Sequence, residues 1–88
     1  MENTQLLSQM PNIGSSLVTL LNEADIHTPT ELINMGAFQA FIRIRAIDPD
    51  ACFSKLCALE GATQGIRWHK LTPDKRMELH QWFKQLPK

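Results

Sequence analysis

No lysine or arginine occurs in the first 42 residues of this 88-residue chain, although the whole chain has a formal net charge of zero. Those 42 residues contain four acids, whereas the rest of the chain contains all nine basic residues and five acids. The two parts therefore have net charges of −4 and +4. The overall balance excludes a uniformly basic nucleic-acid binder and an acidic disordered tail, and we expect the two sides of the molecule to differ in charge.

Other absences narrow the class of protein further. No apolar run approaches the roughly 20 residues of a membrane span, and Glu2 stands where a signal peptide would carry positive charge. We therefore expect a cytoplasmic protein without a membrane segment. The two cysteines, Cys52 and Cys57, are too few for a disulfide scaffold and fit buried thiols in a reducing compartment. A chain of this length forms one small domain, residues 1–88.

The spacing of apolar residues predicts an all-α fold of five or six short helices in one compact bundle. A first helix over residues 5–9, capped by Asn3 or Thr4, ends at a hairpin over residues 11–14. A second helix starts at Ser15 and has a one-sided apolar face consisting of Leu17, Leu20, Leu21 and Ala24. The last helix has a buried stripe consisting of Leu79, Trp82, Phe83 and Leu86.

Helix boundaries are marked by residues with known terminal preferences. The stretch Thr28-Pro29-Thr30-Glu31 predicts a capping box, and both Asp48-Pro49 and Thr72-Pro73 predict a cap followed by a first helical proline. Glycines at 36 and 65 are expected to end helices, so that a helix of about residues 37–45 lies between Gly36 and Asp48. Gly61 falls inside a helical pattern and indicates close approach of another backbone.

Residues 6–17 read as helix, tight hairpin and helix, with a hairpin of the sequence Pro11-Asn12-Ile13-Gly14 followed by Ser15 and Ser16. The start of the second helix offers free backbone N–H groups and the positive end of the helix dipole, which suit a phosphate. Because no cation accompanies the hairpin, we favour a structural role in which Ile13 fills the core. We expect Gly14→Val to destabilise the fold, because a hairpin glycine needs a special conformation or a close approach.

The basic part of the chain supplies the candidate binding residues: Arg43, Arg45, Arg67, His69 and Lys70. Arg43 and Arg45 are two residues apart and point to opposite sides of one helix. The other three surround Trp68, so that this connection could stack on a base or bind an acidic partner. In the alternative interpretation, Trp68 packs into the core beneath Gly61 or Gly65, and Arg67 pairs with an acid such as Glu60.

No catalytic or metal-binding constellation is evident. Cys52 and Cys57 are five residues apart and do not share a helix face, and the three histidines are scattered. The small fold leaves no room for a deep pocket. We therefore expect a protein that is not an enzyme and that holds no metal and no cofactor.

Four stretches follow one another in the order MPNIG, LNEADIHTPTEL, MGA and CALEGATQGIRWHKL. In these stretches and their order the sequence, over about residues 6–83, resembles the C-terminal domain of the TfoX/Sxy family, the regulators of bacterial competence for DNA uptake. It implies an all-α domain that begins with a helix-hairpin-helix-like motif. Many family members have an additional N-terminal α/β domain, so this chain is expected to be either a free-standing protein or a fragment.

The resemblance also implies a role in switching on competence genes beside the cyclic-AMP receptor protein. Our leading hypothesis is a regulatory interaction domain that contacts a protein partner in transcription, with at most weak help from DNA. The alternatives are a sequence-independent DNA-binding helix-hairpin-helix module and a self-association domain. The sequence leaves open whether the chain is a monomer or a dimer.

Overall fold

The computed structural model describes residues 6–86 as five α-helices and two short 3₁₀ turns. The helices are α1 (Ser15–Glu23), α2 (Pro29–Met35), α3 (Ala37–Ile47), α4 (Phe53–Gln64) and α5 (Pro73–Lys84), and the 3₁₀ turns are Leu7–Gln9 and Trp68–Lys70. No strand occurs in this part of the chain, so the predicted all-α bundle is confirmed. Within residues 6–86 we find no helix with the length and apolar character that crossing a membrane requires.

Of the three predicted N-caps that lie within residues 6–86, two form as expected. The Thr28 hydroxyl accepts a hydrogen bond from the backbone N–H of Glu31 at 3.1 Å, and the Thr72 hydroxyl accepts one from Lys75 at the same distance. The reciprocal half of the first capping box differs from the prediction. The Glu31 carboxylate accepts from the backbone N–H of His27 at 2.7 Å, one residue before the cap. Both caps satisfy N–H groups that a helix start leaves without a partner.

The predicted helix start at Asp48-Pro49 is wrong. Helix α3 runs on to Ile47, and the Asp48 carboxylate then accepts from the N–H of Asp50 at 3.1 Å. The carbonyl of Asp48 also accepts from the N–H of Ala51 at 3.0 Å, which closes a turn instead of starting a helix. Helix α4 therefore begins only at Phe53, with Cys52 as its N-cap. The predicted helix ends at Gly36 and Gly65 are confirmed, with φ angles of 88° and 75°.

The core gathers side chains from all five helices. Its largest fully buried members are Phe41, Leu21, Ile26, Leu32, Ile44, Leu56, Leu59 and Leu79. On α1 the predicted apolar face is confirmed, since Leu17, Leu21 and Ala24 are buried and Leu20 packs partly against them. Full burial of one such large side chain stabilises the fold by about 1.5–3 kcal/mol, so this set holds the short helices together.

Aromatic contacts fasten α5 to the rest of the bundle. The Trp82 ring lies 4.4 Å from the Phe38 ring between centroids, and the Phe83 ring lies 5.8 Å from Phe41 and 5.5 Å from Phe53. Of the predicted stripe, Leu79 is fully buried, and the remaining members pack partly buried against the core. The face of α5 that points away from the core is exposed, including Met77 and Glu78 after its first turn.

The segment before α1 is anchored by apolar side chains. Leu7, Met10 and Ile13 are all buried, which confirms that Ile13 fills the core. The predicted first helix is a single 3₁₀ turn, Leu7–Gln9. Its proposed caps, Asn3 and Thr4, lie outside the described residues. The buried side chains of Leu7, Met10 and Ile13 hold the hairpin against the bundle.

Candidate functional site

The side chain of Asn12 connects the hairpin to the segment that follows α4. Its amide nitrogen donates to the carbonyls of Ile66 at 3.0 Å and Ala58 at 3.4 Å, and its amide oxygen accepts from the backbone N–H of Trp68 at 3.0 Å. Asn12 also has a φ angle of 71°, a left-handed conformation that asparagine tolerates better than most residues. This residue brings together two segments that lie more than 50 positions apart in the chain.

Gly61 permits this close approach. A Cβ atom at position 61 would lie 2.6 Å from the Asn12 amide nitrogen, 2.8 Å from the carbonyl oxygen of Ile66 and 3.2 Å from the Cα of Trp68. No side chain fits there, so the close approach predicted for Gly61 is confirmed. The second 3₁₀ turn, Trp68–Lys70, consequently lies directly on the last turns of α4.

Trp68 points outward from this rigid support. Its side chain is 48% exposed, so the interpretation in which it packs into the core is wrong. The guanidinium carbon of Arg76 lies 5.6 Å from the centroid of the indole, and an Arg76 N–H donates to the carbonyl of His69 at 2.8 Å. The His69 ring meets the indole edge to face at 5.9 Å. Cation–π and edge contacts of this kind favour one orientation of an exposed ring, by about 0.5–1 kcal/mol each.

A half-open groove of about 480 Å³ lies between α4, α5 and the second 3₁₀ turn. It is lined by Asn12, Phe53, Ser54, Cys57, Ala58, Arg67, Trp68 and Arg76. Two arginines and no carboxylate are among these residues, and the floor is largely apolar. We refer to it below as the Trp68 groove. Its volume exceeds the roughly 300 Å³ of a usual ligand pocket, but it is a groove open to solvent on one side and not the deep pocket that the sequence argued against.

The structure does not bring the five predicted binding residues together. Arg67, His69 and Lys70 are exposed around Trp68, next to the hairpin. Arg43 and Arg45, on α3, point in different directions, as predicted. Arg43 donates to the carbonyl of Ala24 at 3.2 Å, and the guanidinium of Arg45 lies 5.5 Å from the Phe83 ring. These two arginines thus contact the end of α1 and the end of α5 instead of the Trp68 groove.

The hairpin residues play mixed roles. Pro11 and Asn12 are half-buried, Ile13 is buried, and Gly14, Ser15 and Ser16 are exposed. The reason given for a destabilising Gly14→Val is wrong. Gly14 has a φ angle of −95°, and nothing lies within 4 Å of the position of its Cβ. Gly14 is simply the N-cap residue of α1, and no side chain caps that helix.

The two cysteines differ in environment. Cys57 is buried, as predicted; it lines the floor of the Trp68 groove, and burial raises the pKa of its thiol. Cys52 is exposed, which contradicts its prediction as a buried thiol. A hydrogen bond with the Ser54 hydroxyl, at 2.9 Å, lowers the pKa of Cys52. The residues that the structure describes contain no group of three or more ligands placed to hold a metal ion.

Sequence reasoning missed most of the groove. Arg76 is not among the predicted binding residues, although it lines the groove beside Trp68. The predicted pair between Arg67 and Glu60 does not form. Glu60 instead accepts from Gln64 at 2.6 Å and lies 4.0 Å from the Lys75 ammonium. Two signals in the sequence pointed to this region: the basic residues around Trp68 and the glycine inside α4.

The chain is similar to a known domain family and to solved structures. Residues 3–83 match the family of the TfoX C-terminal domain. A solved structure of an uncharacterised protein from Listeria monocytogenes is 46% identical, with a TM-score of 0.87 over 96% of this chain and 99% of that chain. Another, of a protein of unknown function from the same organism, is 48% identical, with a TM-score of 0.90 over 92% and 99%. No curated protein matches the chain.

Proposed function

The chain belongs to the TfoX C-terminal domain family, and from that premise we propose that it is a non-enzymatic regulatory domain. In this proposal it contributes to the activation of competence genes by binding a protein partner in transcription. The contact surface consists of Arg67, Trp68, His69 and Lys70, together with the groove beside them. The partner implied by the family is the cyclic-AMP receptor protein.

The observation that carries the proposal is the fixed, exposed indole of Trp68. Its backbone is held by Asn12 from below, and its ring is held by Arg76 from the side. Tryptophan and arginine are enriched among the residues that contribute most to protein interfaces. A side chain that is already ordered loses little conformational entropy when a partner binds, so more of its contact energy appears as affinity.

The charge around Trp68 selects the kind of surface that would dock there. Arg67, His69 and Lys70 are exposed, and none of them makes a salt bridge within residues 6–86. Complementary acidic residues on a partner would orient the encounter and raise the association rate more than the final affinity. We therefore expect binding by this surface to weaken as salt increases.

The groove supports binding better than catalysis. The thiol of Cys57 is buried and its pKa is raised, so it is largely protonated at neutral pH and is a poor nucleophile. Two histidines lie next to lining residues: His69 is edge to face with Trp68 and its carbonyl binds Arg76, while His80 is edge to face with Phe53. The groove lining itself contains neither histidine nor carboxylate to serve as a general base.

The proposal is tested by titrating fluorescently labelled cyclic-AMP receptor protein, with cyclic AMP present, with this chain. We expect Trp68→Ala and Lys70→Gln each to weaken binding about tenfold, the size of one interface side chain's contribution. Met77→Ala is the matched control for Trp68→Ala, because Met77 is a 62% exposed apolar residue outside the groove lining. Absence of binding by the unaltered chain would remove this partner, and equal losses in all three variants would remove the surface.

A second candidate function, sequence-independent DNA binding, is favoured by one specific observation. Asn12 places the hairpin directly beside Arg67 and Trp68, although the two segments are far apart in the sequence. Duplex DNA is titrated at low and at near-physiological salt. A steep loss of affinity with salt that disappears in the double variant Arg67→Ala plus Lys70→Ala would support DNA binding. No binding at low salt would eliminate this candidate.

A further inference from the structure

We infer that the Trp68 groove binds a short acidic peptide segment that inserts an apolar side chain between α4 and α5. This inference rests on the proposed function, because it names the chemistry of the partner at that surface. It arises from three features of the groove: an apolar floor, unopposed positive charge at the rim and a rigid wall.

The floor of the groove suits an apolar side chain. Phe53, Cys57 and Ala58 line it, and all three belong to α4. Cys57 and Ala58 are buried, and Phe53 is fixed by ring contacts with His80 and Phe83 at about 5.4 and 5.5 Å. The volume of about 480 Å³ falls in the range of roughly 300–1,000 Å³ that small ligands occupy. A leucine or aromatic side chain entering the groove would be removed from water.

The rim of the groove suits a carboxylate. Arg67 and Arg76 line it without any acidic residue among the lining side chains. Arg76 uses one N–H to bind the carbonyl of His69, which orients its guanidinium and leaves further donors available. A planar guanidinium binds a carboxylate with two parallel hydrogen bonds. An acidic residue next to the apolar side chain of the peptide would therefore neutralise positive charge at the rim of the groove.

The wall of the groove is held in place before any ligand arrives. Asn12 binds the backbone on both sides of Arg67, at Ile66 and at Trp68. Gly61 allows the backbone segment of residues 66–68 to lie against α4 without an intervening side chain. A site that does not reorganise on binding retains more affinity for a short segment.

The same features favour a peptide over a nucleic acid. Nucleic-acid affinity needs several free cations along a surface, because it depends on counterion release. Two exposed cations, Arg67 and Lys70, flank Trp68, whereas Lys75, on the first turn of α5, is bound to Glu78 at 3.0 Å and lies 4.0 Å from Glu60. The guanidinium of Arg76 already lies over one face of the Trp68 indole, which makes the ring a poor platform for base stacking. The apolar floor has no role in binding a phosphate backbone.

The inference is tested with a fluorescein-labelled nine-residue probe, Gly-Ser-Glu-Glu-Phe-Glu-Leu-Ser-Gly, titrated with the purified chain by fluorescence anisotropy. Arg67→Gln removes one rim cation from an exposed position, and Ser54→Leu fills the groove with an apolar side chain without changing its charge. We expect each variant to weaken probe binding about tenfold, as loss of a charge-assisted contact or of the cavity does. Lys84→Gln is the matched control, because it removes an exposed cation of α5 outside the groove lining, and it should change affinity less than about twofold.

Four results would overturn the inference: no probe binding at about 1 mM, equal binding of a probe in which glutamine replaces each glutamate, equal losses in Arg67→Gln and Lys84→Gln, or full competition by a short DNA duplex. A wild-type dimer that Ser54→Leu converts to monomer would assign the groove to a second copy of the chain. Circular dichroism confirms that each variant is folded.

If the cyclic-AMP receptor protein binds but the probe does not, the groove inference fails alone. If the probe binds but that protein does not, the named partner fails alone.

Discussion

Replacing Gly61 with alanine should destabilise this protein, although alanine favours helices. The substitution returns about 1 kcal/mol of helix propensity. Against this, the new Cβ would lie 2.6 Å from the Asn12 amide and 2.8 Å from the Ile66 carbonyl, both below any normal contact distance. The Ile66 backbone cannot move away easily, since its N–H donates to the carbonyl of residue 61 at 2.9 Å. Overpacking therefore costs about 1–3 kcal/mol.

Displacing the Asn12 amide adds to that cost. Its two shorter hydrogen bonds, to Ile66 and from Trp68, contribute about 1–2 kcal/mol together. The net loss of unfolding free energy for Gly61→Ala is then about 1–4 kcal/mol. In a domain of this size a loss of about 2 kcal/mol lowers Tm by roughly 8–16 °C. The second 3₁₀ turn should loosen as well, which would change the fluorescence of Trp68.

Thermal unfolding followed by circular dichroism at 222 nm measures this effect. Gly14→Ala is the control, because the Cβ at that position meets nothing within 4 Å and φ is −95°. It should cost at most about 1 kcal/mol as a changed N-cap. Combining Gly61→Ala with Asn12→Gly should be less damaging than the sum of the two, since the first clash disappears. A Gly61→Ala variant as stable as the wild type would show that α4 and residues 66–68 do not touch as described.

Three further changes test other contacts. Asn12→Gly keeps the left-handed backbone but removes the side-chain hydrogen bonds, and it should cost about 1–3 kcal/mol in urea unfolding; a loss below about 0.5 kcal/mol would contradict the role of this side chain. Trp68→Ala should cost less than about 1 kcal/mol, since the ring is 48% exposed, and a loss of 3 kcal/mol or more in the same assay would place the ring in the core. Iodoacetamide should modify Cys52 before Cys57 at neutral pH, because a lowered pKa gives an exposed thiol more thiolate while burial raises the pKa of the other; mass spectrometry after partial digestion identifies the site, and equal rates would refute the difference.

Local hydrogen bonding explains which helix ends were predictable. The caps at Thr28 and Thr72 each bind an N–H three residues later, so the sequence contains both partners within one turn. The ends at Gly36 and Gly65 depend on a positive φ angle that glycine adopts without strain. The predicted helix start at Asp48-Pro49 is wrong because the Asp48 carboxylate can also close a turn. It accepts a hydrogen bond from the backbone N–H of Asp50 instead. A capping residue offers both geometries, and the packing of its neighbours selects one.

The helical class of this protein, most of its helix boundaries, the burial of Ile13 and the close approach at Gly61 could be predicted from local patterns in the sequence. The exposure of Trp68 and the position of Arg67 and Arg76 at one groove follow from the packing of the helices. The reason is distance along the chain. Asn12 binds groups 46 to 56 positions away, and no periodicity or local pairing in a sequence records such a contact. Helix caps and apolar faces depend on residues a few positions apart, whereas a groove forms only when separate helices pack together.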